Sequence, residues 1–321
     1  MPHWLIKSAL HRTISMLPGS HWWNELLQSR ISKTLELSAG RFEQRLEYCQ
    51  RHVEDFVSLR PHLSDDFSVF ELGTGWHPVV PACLYLCGAS PIWTVDIASH
   101  LSSERVEQSL RMICEYEARG TLQRFVRHIR PERMTRLRKV AEGAGTREPR
   151  AVLEELNIHA LVRDAQDTGL DAGLIDLFVS DSVIEYIPRL VLANMLAEFR
   201  RIAKAEAIHS HFINLSDQFA QFDRSITEFN FLKYSDRQWK WLDSPLTSKS
   251  RLRISDYRDL FAQAGCPILR EQNMKGTVGD LERVRLAPRF QSYSQDDLLV
   301  LRSWLLAQLR PVAVGARSGA A

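Results

Sequence analysis

Three acids and two glycines stand where this chain could do chemistry. In VFELGTGWHP (residues 69–78) an apolar run carries Glu71 near its end, and a turn follows at once through Gly73, Thr74 and Gly75. Asp96 closes the next apolar run, and Asp164, followed by Ala165, closes a third. The glycines let the backbone turn sharply and approach a ligand with no Cβ in the way. Three carboxylates at successive strand ends converge on the carboxyl edge of a parallel sheet, where ligands bind in open α/β folds.

Three ligand classes use such a turn. A phosphate-cradling P-loop needs a Lys-Ser/Thr pair after its last glycine, and this loop has no lysine. A dinucleotide turn needs G-x-G-x-x-G, but Pro78 occupies the third position, and Pro78 and Pro81 remove two amide donors from the phosphate end. S-adenosylmethionine carries a sulfonium, an ammonium and a ribose diol but no phosphate, so it suits acids beside a close backbone. Glu71 is placed for the ammonium end, Asp96 for the ribose hydroxyls, and Asp164 with Ala165 for the adenine edge.

The elements that must hold these residues read as an α/β alternation. Strands are expected at 68–72, 92–98, 158–165, 174–183 and 207–214, with helices near 79–86, 101–119 and after Pro188. The order implies right-handed crossovers and a mostly parallel, seven-stranded sheet with helices on both faces. Ser255 and Gly265 read as the cap and stop of a late helix. PILREQNM and ERVRLAP are expected to pair antiparallel at the sheet edge. The organisation expected is an N-terminal helical extension or lid over 1–66, one large domain over 67–310, and a flexible tail over 311–321. Two segments interrupt the large domain: 124–150, with nine Lys/Arg against three Glu, and the aromatic stretch 216–250.

The 321 residues are 45% hydrophobic and 25% charged with a formal charge of +2, so no global field favours nucleic acid or membrane. Five cysteines lack a pairing framework and read as reduced, buried thiols of a cytoplasmic protein, with no metal site expected. No apolar run is long enough to span a bilayer.

These segments resemble the class I S-adenosylmethionine-dependent methyltransferases. The resemblance rests on VFELGTGWHPVVPACLYLCGA, VDI around Asp96, RDAQDTG around Asp164, and IDLFVSDSVIEYIP, and it spans about 65–290. It implies a Rossmann-like methyltransferase fold with S-adenosyl-L-methionine as cofactor. Gly73 and Gly75 would line the methionine end, Asp96 the ribose, and Asp164 with Ala165 the adenine, with Thr74 and Ile97 also binding the cofactor. Ser180 and Asp181 would face the reaction centre. SHFINLSDQF, FDRSITEFNFL and SRLRISDY are similar to a bacterial subgroup of the family. His77 stands where many relatives have a third glycine and Tyr186 where they have a histidine, while Asn214 and Gln218 replace an expected acid and histidine.

Catalytic candidates are His211, Asp217 and Asp181, with a small-molecule or glycan-like acceptor methylated on O or N. Two other readings stay open. One is action on RNA or protein through the basic 124–150 segment, whose arginines recur near helical spacing like a solvated face. The other is a catalytically silent S-adenosylmethionine-binding relative.

Overall fold

The computed structural model describes residues 37–60, 66–221, 223–242 and 249–310. The expected helices before residue 37, the break at 61–65 and the tail lie outside the described residues, as do Phe222 and 243–248 of the aromatic stretch.

Helix α1 (Ala39–Leu59) buries Phe42, Leu46, Cys49, Val53 and Phe56 along one stripe at helical spacing. Strand β1 (Phe67–Leu72) and helix α2 (Val79–Leu86) are buried throughout. Then come β2 (Ala89–Asp96), α3 (Ser103–Ala118), α4 (Pro131–Ala141), α5 (Pro149–Glu154), β3 (Ile158–Val162) and β4 (Ile175–Asp181). Helix α6 (Arg189–Ile202) opens just after Pro188, as expected, and leads into β5 (Ala203–Asn214). The chain finishes with α7 (Asp236–Leu242), α8 (Ile254–Gln263), β6 (Ile268–Lys275) and β7 (Val300–Gln308).

The seven strands form one sheet in the order β3-β2-β1-β4-β5-β7-β6. Strands β1 to β5 pair in parallel, and β7 runs antiparallel to both β5 and β6. This is the seven-stranded Rossmann-like arrangement that the sequence implies. From β1 the chain winds outward to β3, then returns to β4 on the other side of β1. The crevice of an open α/β sheet lies at that reversal, beside the Gly73–Gly75 turn.

Period-two alternation divides the strand residues between two cores. Val69, Leu177, Val179 and Ile208 pack under α1, α2 and α3. Phe70, Phe178, Ile213 and Leu305 pack with Leu196 and Phe199 of α6 and Phe261 of α8. Each such side chain contributes about 1.5–3 kcal/mol by leaving water. The aromatic stretch feeds a third, smaller cluster, in which Phe229, Phe231 and Trp239 meet Phe290 and Leu298.

Three expectations need correction. ERVRLAP does not pair with β6: its alternation is short, and Pro288 opens a 3-10 turn. The partner is β7, whose residues are buried at Leu305, Leu306 and Ala307 because the strand lies inside the sheet. Ser255 does not cap α8; Arg253 is the N-cap and its amide donates to Asp256 Oδ2 (2.8 Å), while Ser255 bonds Asp297. The third is β3, which stops at Val162, so Asp164 sits two residues past the strand on the following turn.

Candidate functional site

The glycine turn is held against two strands. Gly73 has φ +89°, its amide donates to Val95 O (2.8 Å), and a Cβ there would lie 2.5 Å from Val183 Cγ2. Only glycine lets this turn touch the loop after β4. Gly75 has φ +62°, and a Cβ there would meet nothing within 4 Å. Its amide donates to Asp96 Oδ2 (3.1 Å), and Asp96 Oδ1 takes the Ala98 amide (3.3 Å). The turn and the end of β2 are thereby locked to each other through one carboxylate.

Glu71 is buried beneath the turn. Thr94 Oγ1 donates to it at 2.6 Å and lies 2.7 Å from Thr74 Oγ1. Burial pushes the Glu71 carboxyl up to about 8, against the Thr94 hydrogen bond and with help from Asp181 and Asp96. A cationic ligand group nearby would pull it back down. Ile97 is 80% exposed and Val162 41%, and they stand at the adjoining ends of the paired strands β2 and β3. Two apolar side chains left to solvent there suit the face of a planar ring. Asp164 is exposed on the same edge, accepting from the Gln166 amide (2.9 Å), with buried Ala165 beside it. Trp76 lies against His100 (4.3 Å between centroids) with the Arg105 guanidinium 4.4 Å from its ring.

Strand β4 delivers its last two residues to opposite faces. Ser180 is buried toward α8, with Oγ 2.8 Å from His211 Nδ1, and His211 Nε2 is 3.3 Å from His209 Nδ1. His209 stacks on Phe178 (4.5 Å, 9°), and Phe261 closes over both imidazoles. Desolvation drives His209 down to about 3 and His211 well below its ordinary value, so both are neutral. Ser180 and His211 are therefore brought together, but inside the core.

Asp181 faces α1, where His52 Nε2 lies 3.1 Å from its Oδ1. His52 Nδ1 is 2.8 Å from Ser210 Oγ, which itself donates to Asp55 Oδ2 (2.7 Å). Because Ser210 spends its proton on Asp55, His52 Nδ1 must supply the hydrogen to Ser210. Arg270 donates to Asp55 and the Arg51 guanidinium pairs with it at 3.2 Å, which completes the chain. His52 and Asp55 were not singled out from the sequence. Their signal was two polar residues buried in the apolar stripe of α1.

A further acid enters from the loop. Ser182 adopts φ +57°, turning the chain off β4 so that Val183 meets Gly73 and Glu185 points inward. Glu185 is 2% exposed, and neither carboxylate oxygen has a hydrogen-bond partner among the described residues. It lines a cavity of ≈ 20 Å³ with Asp217, Trp239 and Lys249, room for about one water. Burial raises Glu185 and lowers Lys249, whose ammonium donates to Asn214 O (2.6 Å) and Ser216 O (3.0 Å). Asp217 is buried, raised by desolvation, and bonded by the Phe219 amide (2.8 Å) and Asn230 Nδ2 (3.1 Å). Asn214 folds its side chain onto Ser216. Asp217 thus shares the cavity with Glu185, Asp181 faces His52 on α1, and His211 lies in the core beside Phe261.

The basic segment is largely paired. Arg133 is buried, donating to Tyr85 O (2.8 Å) and Ala89 O (2.6 Å), and Arg127, Arg130, Arg136, Arg138 and Arg147 each bridge an acid outside 124–150. Met134, Leu137 and Val140 of α4 enter the core. Among the described residues no three His, Cys, Asp or Glu side chains are arranged to hold a metal, and all five cysteines are free thiols. No described helix is long and apolar enough to cross a membrane.

No protein-family model matches this chain, and no curated protein matches it. Among solved structures, it is similar to an S-adenosylmethionine-dependent methyltransferase from Methanosarcina mazei, 12% identical over 79% of this chain and 98% of that one, with a TM-score of 0.43. It is likewise similar to an S-adenosylmethionine-dependent methyltransferase from Mesorhizobium loti, 10% identical over 78% and 95% of the two chains, with a TM-score of 0.41.

Proposed function

We propose that the protein is an S-adenosylmethionine-dependent methyltransferase acting on an oxygen or nitrogen of a small-molecule acceptor. The observation that carries this reading is the lock between Gly75 and Asp96 at the sheet reversal, with Glu71 buried below it and Ile97 exposed beside it. The residues fit the cofactor: open space over Gly75 admits the methionine chain, and Glu71 answers its ammonium. Asp96 keeps acceptor capacity beyond its two amide bonds for the ribose diol, while Ile97, Val162 and Ala165 offer apolar contact to adenine and Asp164 its polar edge. When bound, the cofactor supplies a methyl group on a positively charged sulfur.

The chain's own residues then orient the acceptor and take its proton. Positioning alone supplies much of the acceleration for such a displacement. Glu185, unpartnered and raised toward neutrality by burial, is suited to accept a proton from a hydroxyl or ammonium. Asp181, held by His52, and Asp217, held by Asn230, flank it as fixed carboxyl groups. Free cysteines suit the cytoplasm. The pairing of the 124–150 arginines with acids favours a small acceptor over RNA.

Calorimetry with S-adenosylmethionine and S-adenosylhomocysteine tests the reading. Saturable binding that Asp96→Ala weakens at least tenfold is the expected result. No binding by the folded wild-type protein would overturn it.

A further inference from the structure

Behind the transfer cavity lies a second, larger recess. A groove of ≈ 610 Å³ runs between residues 224–233 and the turn after β6, and its size is that of a site for a small organic ligand. Five cations line it: Arg224, Lys233, Lys275, Arg283 and Arg302. Glu228 and Asp280 are the two acids in the lining, and Asp296 beside it pairs with Lys275, so the local excess is two positive charges.

The acids do not silence the cations. Arg302 bonds Glu228 (2.7 Å) and Arg283 bonds Asp280 (3.3 Å), but each guanidinium has five N–H donors, so donors remain for a ligand oxyanion. Arg224 and Lys233 are exposed on the same wall. Burial of Phe229 and Leu301 gives the groove an apolar floor, and a Cβ at Gly276 would strike both at under 3 Å. The groove shares a wall with the transfer cavity. Asn230 lines the groove and donates to Asp217 in the cavity (3.1 Å), and the Asp217 amide donates to Glu228 O (2.8 Å).

We infer that this groove binds the phosphate or diphosphate group of the acceptor, so that the substrate is a phosphorylated small molecule. The assignment of that ligand as the acceptor rests on the methyltransferase reading; the anion site itself rests on the groove. Several convergent Arg and Lys donors over an apolar floor match a compact polyanion attached to an organic body.

The experiment is calorimetry and amide NMR on the full chain with inorganic pyrophosphate, alongside S-adenosylhomocysteine on the same samples. The expected result is saturable pyrophosphate binding that perturbs residues 224–233 and 275–283. Arg224→Glu with Lys233→Glu should weaken it at least tenfold, and Arg224→Gln with Lys233→Gln, the milder pair should folding suffer, at least threefold. The control pair Arg124→Glu with Lys139→Glu, on the basic segment, should leave it unchanged. Absence of saturable binding, or loss of binding in the control pair alone, overturns the inference. A short RNA that binds the groove residues more tightly than pyrophosphate overturns the small-molecule assignment. Pyrophosphate binding without S-adenosylhomocysteine binding overturns the methyltransferase reading and leaves the anion site standing; the reverse pattern does the opposite.

Discussion

The two faces of strands β4 and β5 carry two histidine networks that differ in every physical respect. Toward α8, Ser180, His211 and His209 form a neutral chain walled by Phe178 and Phe261. Toward α1, Asp181, His52, Ser210 and Asp55 form a chain that carries charge and ends on Arg270. One backbone thus supports a desolvated packing device on one side and a carboxylate-positioning device on the other. The difference teaches that a histidine's role follows from its partner at the far end of the chain of hydrogen bonds.

The largest expected effect breaks the packing side. His209→Ala removes a ring stacked in the core and should cost about 3 kcal/mol in urea unfolding, with S-adenosylmethionine affinity of the folded protein unchanged. A variant as stable as the parent would show that the ring is not core.

Next, double-mutant cycles sharpen the contrast directly. The His52–Asp181 coupling should be about 2 kcal/mol, as for hydrogen bonds involving charge, and the Ser180–His211 coupling about 1 kcal/mol. Equal couplings would erase the distinction between the faces.

A smaller effect is expected at the cofactor edge. Asp96→Ala should lose about 1.4 kcal/mol of S-adenosylmethionine affinity, whereas His211→Asn should lose none. Calorimetry on both variants decides whether the edge or the core face holds the ligand.

The last test concerns pH. The Glu71 carboxyl is raised to about 8 by burial, so the folded protein holds a proton that the unfolded chain has released. Stability from this group is intact below the ordinary carboxyl range and is lost as pH rises from about 4.5 to about 8. Glu71→Gln should flatten that decline, read from melts across pH 5 to 8. An unchanged slope would place Glu71 in water.

Much of this architecture was legible in the chain. The five parallel strands, the glycine turn and the acids Glu71, Asp96 and Asp164 are local patterns, readable because alternation and turn chemistry act over a few residues. The α1 partner was not legible, since His52 meets Asp181 across 129 positions and nothing local ties them. His211 drew attention by its polar type on a strand, yet strand parity sends it to the α8 side with Phe178 and His209. The pairing of the 124–150 arginines was illegible for a related reason: they find their acids at Glu54, Asp66, Glu117 and Glu155, outside the window. Strand β7 escaped because a strand buried inside a sheet shows a nearly continuous apolar run rather than alternation.

The placement of β7 has a consequence for how the molecule is made. Strand β6 is synthesised first but touches the sheet only through β7, and β7 pairs with β5 residues made one hundred positions earlier, as in Ile208 opposite Gln308. Until residues 300–308 have emerged from the ribosome, β5 presents an open edge and β6 has no neighbour. Strands β1 to β5 can assemble during translation, yet the outer edge of β5 must wait for a late piece of chain, a long-range closure of the kind that folds slowly and exposes aggregation-prone edges. A nascent chain stalled before residue 300 should therefore be the species that chaperones hold.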